Sequence, residues 1–135
     1  LTLLEALSKD YEPSVRVGVA RNKNTSIEIL NVLLKDKRAN VRGSVAWNAV
    51  TTPEMFATLD KDTTVTVQTY LARSIYAPVE VLIRLADSDN IKIRRELAAN
   101  PYAPLDVLTK LSKDTNPTMA HNAQFVLYAR RTRKK

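Results

Sequence analysis

Arginine recurs at one position of this 135-residue chain, as Arg16, Arg42 and Arg94, on a stride of 26 residues that Gln68 and Ala120 interrupt. A row of guanidinium groups could hold phosphates, because each presents a planar fork of donors to a two-oxygen anion. Six residues earlier, the same stride carries Asp10, Asp36, Asp62 and Asp114. Aspartates there can cap loop amides and pair with the arginine of the same or the next unit, giving charge-assisted bonds that fix stacking. The two rows therefore have two readings, an anion-binding surface or a structural ladder.

Other residues with binding chemistry follow the same stride. Tyr76, Tyr102 and Tyr128 share one position, and Trp47 and Phe125 share another with Arg21, Arg73 and Ala99. Aromatics beside arginines grip extended peptides or stack on bases; equally, they pack a turn between helices. Lys9, Lys35, Lys61 and Lys113 recur where lysine complements a helix C-terminus and is usually solvated. Arg130, Arg131, Arg133, Lys134 and Lys135 crowd the last six residues. Of 21 basic side chains these five leave 16 against 14 acidic ones, so the net charge of +7 belongs mainly to this stretch.

Catalytic chemistry finds little support. The lone histidine, His121, reads as a surface residue, cysteine is absent, and no glycine loop, metal-ligand cluster or nucleophile elbow is visible. The expectation is a non-enzymatic chain with no cofactor and no metal. Apolar residues make up 44% and charged residues 26%, an ordinary globular composition. No apolar run approaches the roughly 18 to 20 residues that cross a bilayer. The start lacks a signal-peptide pattern, so a cytoplasmic location without membrane contact is the default expectation.

The elements that must position these side chains are written in the same stride. Leu7, Leu33, Leu59, Leu85 and Leu111 stand 26 residues apart without a slip, accompanied by Leu4, Leu30, Phe56, Leu82 and Leu108, by Val15, Val41, Val67, Ile93 and Met119, and by Ala20, Ala46, Ala72 and Ala98. A fixed period of this length signals stacked repeats, since so short a unit cannot bury an apolar face alone. The units run 6–31, 32–57, 58–83 and 84–109, with a half repeat 1–5 in front and a cap repeat 110–129 behind. A basic tail, 130–135, follows. The chain opens inside a repeat and reads as a fragment whose preceding helix is missing.

Within each unit the pattern predicts two helices. Val15, Val19 and Asn22 at i, i+4 and i+7 place one stripe on helix A, about 13 to 22. Pro13 and Pro117 suit its first turn, and Thr64, Asn90 and Asn116 are good N-caps. Thr25-Ser26-Ile27-Glu28 and Thr51-Thr52-Pro53-Glu54 read as capping boxes opening helix B, with Thr25 and Thr51 as caps. Pro78 and Pro104 fall in the first turn of the later B helices, where Ala77 and Ala103 replace the threonine and weaken the cap. The recurrent alanine implies close approach of neighbouring helices. Gln124 breaks that series, and the last unit lacks a second capping signal, as a polar terminal repeat should.

Asp10-Tyr11-Glu12-Pro13-Ser14-Val15-Arg16, Val19-Ala20-Arg21-Asn22 and Ala98-Ala99-Asn100-Pro101-Tyr102-Ala103-Pro104 resemble the leucine-rich repeat variant proteins, a bacterial branch of the helical-repeat superfamily. The similarity covers nearly the whole chain. It implies an all-α, right-handed α-solenoid of 26-residue two-helix repeats, similar to armadillo and HEAT arrays. The family's repeat is commonly somewhat shorter, so the extra length here is expected to make both helices fully α. Some members carry a cysteine-bound iron–sulfur module, for which this chain has no ligands.

The functional expectation is a scaffold that presents an extended surface to a protein or peptide. The rival is nucleic-acid binding through the basic tail and the arginine row. Arg16, Arg42, Arg94, Trp47, Tyr76, Tyr102, Arg130, Arg131, Arg133, Lys134 and Lys135 are the candidate contact residues. Arginines free on the face of the tail would favour nucleic acid; arginines tied to the aspartates would favour protein. Oligomeric state is not written in the pattern.

Overall fold

Ten α-helices and one 3₁₀ turn make up the computed structural model, which describes residues 2–133, and no strand occurs among those residues. They are α1 (Leu3–Leu7), α2 (Pro13–Arg21), α3 (Ile27–Leu33), α4 (Ala39–Ser44) continued by the 3₁₀ turn Val45–Trp47, α5 (Pro53–Asp60), α6 (Val65–Arg73), α7 (Val79–Leu85), α8 (Ile91–Ala98), α9 (Leu105–Leu111) and α10 (Pro117–Thr132). Even-numbered helices occupy the expected A positions and odd-numbered helices the B positions. The A helices pack on one another in chain order, α2 on α4, α4 on α6, α6 on α8 and α8 on α10. The 3₁₀ ending of the second A helix departs from the fully α expectation.

Local chemistry sets the helix starts. Thr64, Asn90 and Asn116 accept from the amides of Val67, Lys92 and Met119, and Pro13 and Pro117 lie in first turns where no amide is needed. The B helices start one residue later than the capping-box pattern implied. Ser26 and Thr52 are the caps, accepting from Ile29 and Met55, so Glu28 and Glu54 are one position too early to reach back. Thr25 and Thr51 instead donate their hydroxyls to the Val19 and Val45 carbonyls, closing the C-terminus of the preceding A helix. Pro78 and Pro104 are themselves the cap residues of α7 and α9 and offer no side-chain acceptor. Among the described residues a reciprocal capping box joins Thr2 and Glu5 at α1.

Leu33, Leu59, Leu85 and Leu111 are all but inaccessible, as are Leu30, Phe56, Leu82 and Leu108 and the alanine row from Ala20 to Ala98. Leu7 and Val15 are only half-buried, and Gln124 is exposed at the other end of the described residues. Burial thus follows the repeat register and fades at its ends. A closer approach marks the middle: a methyl added at Gly43 would lie 2.7 Å from Cδ2 of Tyr70 on α6. Gly43 is therefore a seat for the tyrosine ring, while Gly18 faces open space.

The last unit is one continuous helix of 16 residues rather than two. Val126 and Leu127 stand where earlier units carry the polar or proline-containing break between A and B helices, and nothing at Ala129 caps a new start. Arg130 and Arg131 are consequently helical, so α10 runs on past position 129, where the basic tail was expected to begin.

Leu59→Ala should lower stability by about 2 to 5 kcal/mol, the range for large-to-small core changes, in chemical denaturation. Gly43→Ala should also be destabilising, by about 1 to 3 kcal/mol for an overpacked contact, despite the better helix propensity of alanine. Gly18→Ala, in open space, should be neutral or stabilising.

Candidate macromolecule-binding surface

The arginine row is spent on the aspartate row. Arg16 donates from Nε to Oδ2 of Asp36 at 2.7 Å and from Nη2 to Oδ1 at 3.0 Å, Arg42 reaches Asp62 at 2.8 Å, and Arg94 reaches Asp114 at 2.8 and 3.3 Å. Each pair spans 20 residues, from the A helix of one unit to the loop entering the next. The same guanidinium turns back to its own unit, donating from Nη1 to the carbonyl six residues earlier, Asp10, Asp36 or Ser88. Each aspartate also accepts the amide two residues on, at Arg38, Thr64 and Asn116. Side-chain exposure in these pairs never exceeds 19%, so the row offers little to an incoming anion.

The break in the row is itself ordered. Gln68 keeps the backward bond, to the Asp62 carbonyl at 3.2 Å, and the residue that its charge would have met is Ser88 rather than aspartate. Ser88 retains the amide-accepting role toward Asn90. Both charges of that pair are therefore replaced together, as a mutual ion pair demands, since either alone would be half-buried without a partner.

Electrostatics follow the geometry. Burial raises the Asp36 carboxyl, but the Arg16 hydrogen bond, the Arg38 amide and the Arg16 charge outweigh it and hold the group below the usual carboxylate range. Burial likewise opposes ionisation of Asp62, and the Thr64 amide and hydroxyl with Arg42 overcome it. For Asp114 the Arg94 hydrogen bond is the leading cause of a lowered value, followed by the Asn116 amide. The hydrogen bond to Asp36 raises Arg16 in turn.

A second ladder closes the opposite edge, between A and B helices. Asn48 donates to the carbonyls of Ala20 and Asn22 at 2.8 and 2.9 Å, and Asn100 to those of Ala72 and Ser74 at 2.8 Å each. Ser74 keeps one such bond, to Ala46 at 2.6 Å. All three side chains are buried. Their recurrence every 26 residues is the signal in the sequence, but a polar residue ending an apolar stripe reads there as a helix terminus.

Arg130 belongs to this edge and not to a solvated tail. Val126 stands where the next asparagine would be, and Arg130, one turn later on α10, donates to the carbonyls of Asn100, Pro101 and Ala103 instead. Burial lowers its pKa. A chain ending at Ala129 would lose those caps. Arg131 and Arg133 are exposed, and Lys134 and Lys135 lie outside the described residues.

The aromatic candidates divide. Trp47 is half-buried, donates from its indole to the Tyr70 carbonyl at 2.8 Å, lies 4.9 Å from the Tyr70 ring and carries the Arg21 guanidinium 4.9 Å over its own ring. Tyr76, Tyr102, Phe125 and Tyr128 are exposed, against the alternative that they pack the turns. Trp47 and Tyr76 meet in a groove of about 380 Å³ that also takes in Arg21, Arg73, Ile75 and Pro101. A wider hollow of about 760 Å³ lies over Arg94 and Asp114, where Asp87 pairs with Lys110. His121 is exposed, and no three acidic or histidine side chains cluster at metal-binding distance among the described residues. No helix among them is long and apolar enough to cross a membrane. Comparison with protein-family models, curated proteins and solved structures returned no match to this chain.

The lowered carboxylates make a signed pH prediction. Their stabilisation is fully present above the ordinary aspartate value, about 3.9, and fades as pH falls through the lower folded values. The stability deficit of Asp62→Asn relative to the parent should therefore be largest above about pH 5 and shrink towards about pH 2, in denaturation midpoints across that window. Arg130→Ala should lower stability by about 1.5 to 3 kcal/mol, as for loss of a charged donor. Arg131→Ala should stay within about 0.5 kcal/mol, since its side chain is exposed.

Proposed function

We propose that this chain is a non-enzymatic α-solenoid of the leucine-rich repeat variant type, which presents an extended surface for binding a protein or peptide. The observation that carries the reading is the engagement of Arg16, Arg42 and Arg94 by aspartates of the next unit. A phosphate row needs free guanidinium groups, and these are held from two sides. What remains accessible is an edge of exposed aromatic and aliphatic side chains from Val50 through Tyr76 to Tyr102 and Phe125. Tyrosine and arginine at such an edge are the residue types that dominate protein-binding hot spots. The stacking of A helices in chain order supports the solenoid, whose ends would remain open to further units.

The test sets stability against binding. Arg42→Gln should lower the denaturation midpoint and leave any macromolecular binding of the folded protein unchanged. His121→Ala should change neither. If the protein binds DNA or RNA tightly near physiological salt, and glutamine at Arg16, Arg42 and Arg94 abolishes that affinity in folded variants, the nucleic-acid reading replaces this one.

A further inference from the structure

Charge is partitioned between the two helix layers. The A helices carry Arg16, Arg21, Arg42, Arg73, Lys92, Arg94, Arg95, Arg130 and Arg131 against the single acid Glu96. The B helices carry Glu5, Glu28, Glu54, Asp60, Glu80 and Asp106 against Arg84 and Lys110. Ion pairing does not erase the contrast. With the ladder arginines held, Arg73 beside Glu96 at 3.1 Å and Arg130 on carbonyls, Arg21, Lys92, Arg95 and Arg131 remain exposed cations without an ion-pair partner among the described residues. On the B layer Glu28, Glu54, Glu80 and Asp106 form an exposed acidic row.

The groove at Trp47 lies on the basic side of this divide. Its apolar floor is Trp47, Ile75, Tyr76 and Pro101, its charged rim is Arg21 and Arg73, and no acid lines it. The indole N–H is already satisfied by the Tyr70 carbonyl, so an occupant need supply no acceptor there. The Arg21 guanidinium is fixed over the ring, which holds a positive charge at the mouth of an apolar hollow.

We infer that this groove holds an extended acidic segment of a partner protein, with an apolar side chain on the floor and carboxylates meeting Arg21 and the other exposed, unpaired cations of the A layer. The inference rests on the peptide-binding reading above and names the chemistry of the partner. The acidic B row repels the same segment and so confines it to one track. Successive units stand about 8 to 10 Å apart, the usual interaxial spacing, so an extended chain rising about 3.3 Å per residue covers the span from Arg21 to Arg73 with roughly six residues. A nucleic-acid strand fits less well. One face of Trp47 is occupied by Arg21, the rest of the floor is largely aliphatic rather than a stacking platform, and the column Arg21, Trp47, Arg73, Ala99, Phe125 offers a cation only at alternate units.

The probe is a fluorescent peptide of about twelve residues, Glu and Ser around a central Leu-Phe, long enough at about 3.3 Å per residue to cross four units. It is compared with its Gln analogue, its Lys analogue and oligothymidylate by anisotropy at about 0.15 M salt. The acidic peptide should bind about tenfold or more tightly than the Gln analogue, and Arg21→Glu should weaken it about tenfold, as for loss and reversal of an interfacial charge. Tyr76→Ser should weaken it too, whereas Lys61→Glu, the same charge change on the opposite edge, should leave it within about twofold. Thermal melts establish that each variant is folded, and Arg95→Glu serves if Arg21→Glu is not. Equal binding of the acidic and Gln peptides, lost on Tyr76→Ser, would overturn the acidic specificity and leave the peptide scaffold standing. Equal weakening by Lys61→Glu and Arg21→Glu would overturn the site. Binding of oligothymidylate alone, lost on Arg21→Glu, would overturn both this inference and the scaffold reading. Binding of no probe would overturn the inference only.

Discussion

A unit of 26 residues with two short helices closes its loops only in part, and side chains shared with the neighbouring unit complete the closure. Arginine reaches forward from an A helix to the aspartate of the next loop, and asparagine reaches backward to the carbonyls that end the previous A helix. One bond set seals each edge of the array, and the leucines and alanines fill the space between. Both sets involve groups that would be expensive to leave buried and unpaired, so a neighbouring unit is needed for polar reasons as well as apolar ones. Contacts between successive helix pairs therefore carry polar as well as apolar stabilisation.

The ends illustrate the same constraint. Leu7 and Val15 are less covered than their counterparts in later units, and the Asn22 side chain accepts from the Asn24 amide, the same local bond that Asn48, Ser74 and Asn100 make with the amide two residues on. At the other end alanine replaces the ladder arginine at position 120, and Arg130 takes over from the asparagine that Val126 replaces. The centre holds its own exception, Gln68 with Ser88, where the charge pair is absent but both backbone-directed bonds persist. Those bonds, rather than the charges, are common to all the interior units.

Once the ladders have used their polar groups, the exposed surface is sorted by layer. Cations project from the A helices and carboxylates from the first turns of the B helices, where they also suit the helix dipole. The Trp47 groove lies on the basic side of this divide, and its exposed Ile75 and Tyr76 gain from being covered. That combination of apolar hollow and one-signed rim is the basis for the proposed partner.

The 26-residue register, the two-helix pattern, the core rows and three of the A-helix caps, Thr64, Asn90 and Asn116, were legible in the sequence, because periodic apolar residues and N-cap chemistry are local. The pairing of arginine with aspartate was legible only as one of two alternatives, since spacing along the chain does not say which unit a side chain reaches. Tertiary structure decided it by placing residues 20 apart at hydrogen-bonding distance. It also moved the B-helix caps from Thr25 and Thr51 to Ser26 and Thr52, a shift of one residue that depends on where the threonine hydroxyl finds a carbonyl. Arg130 changed most, from a tail charge to a cap on three carbonyls. A basic residue near a terminus looks solvated in one dimension, and only the packing of α10 against α9 and α8 brings the preceding loop within its reach.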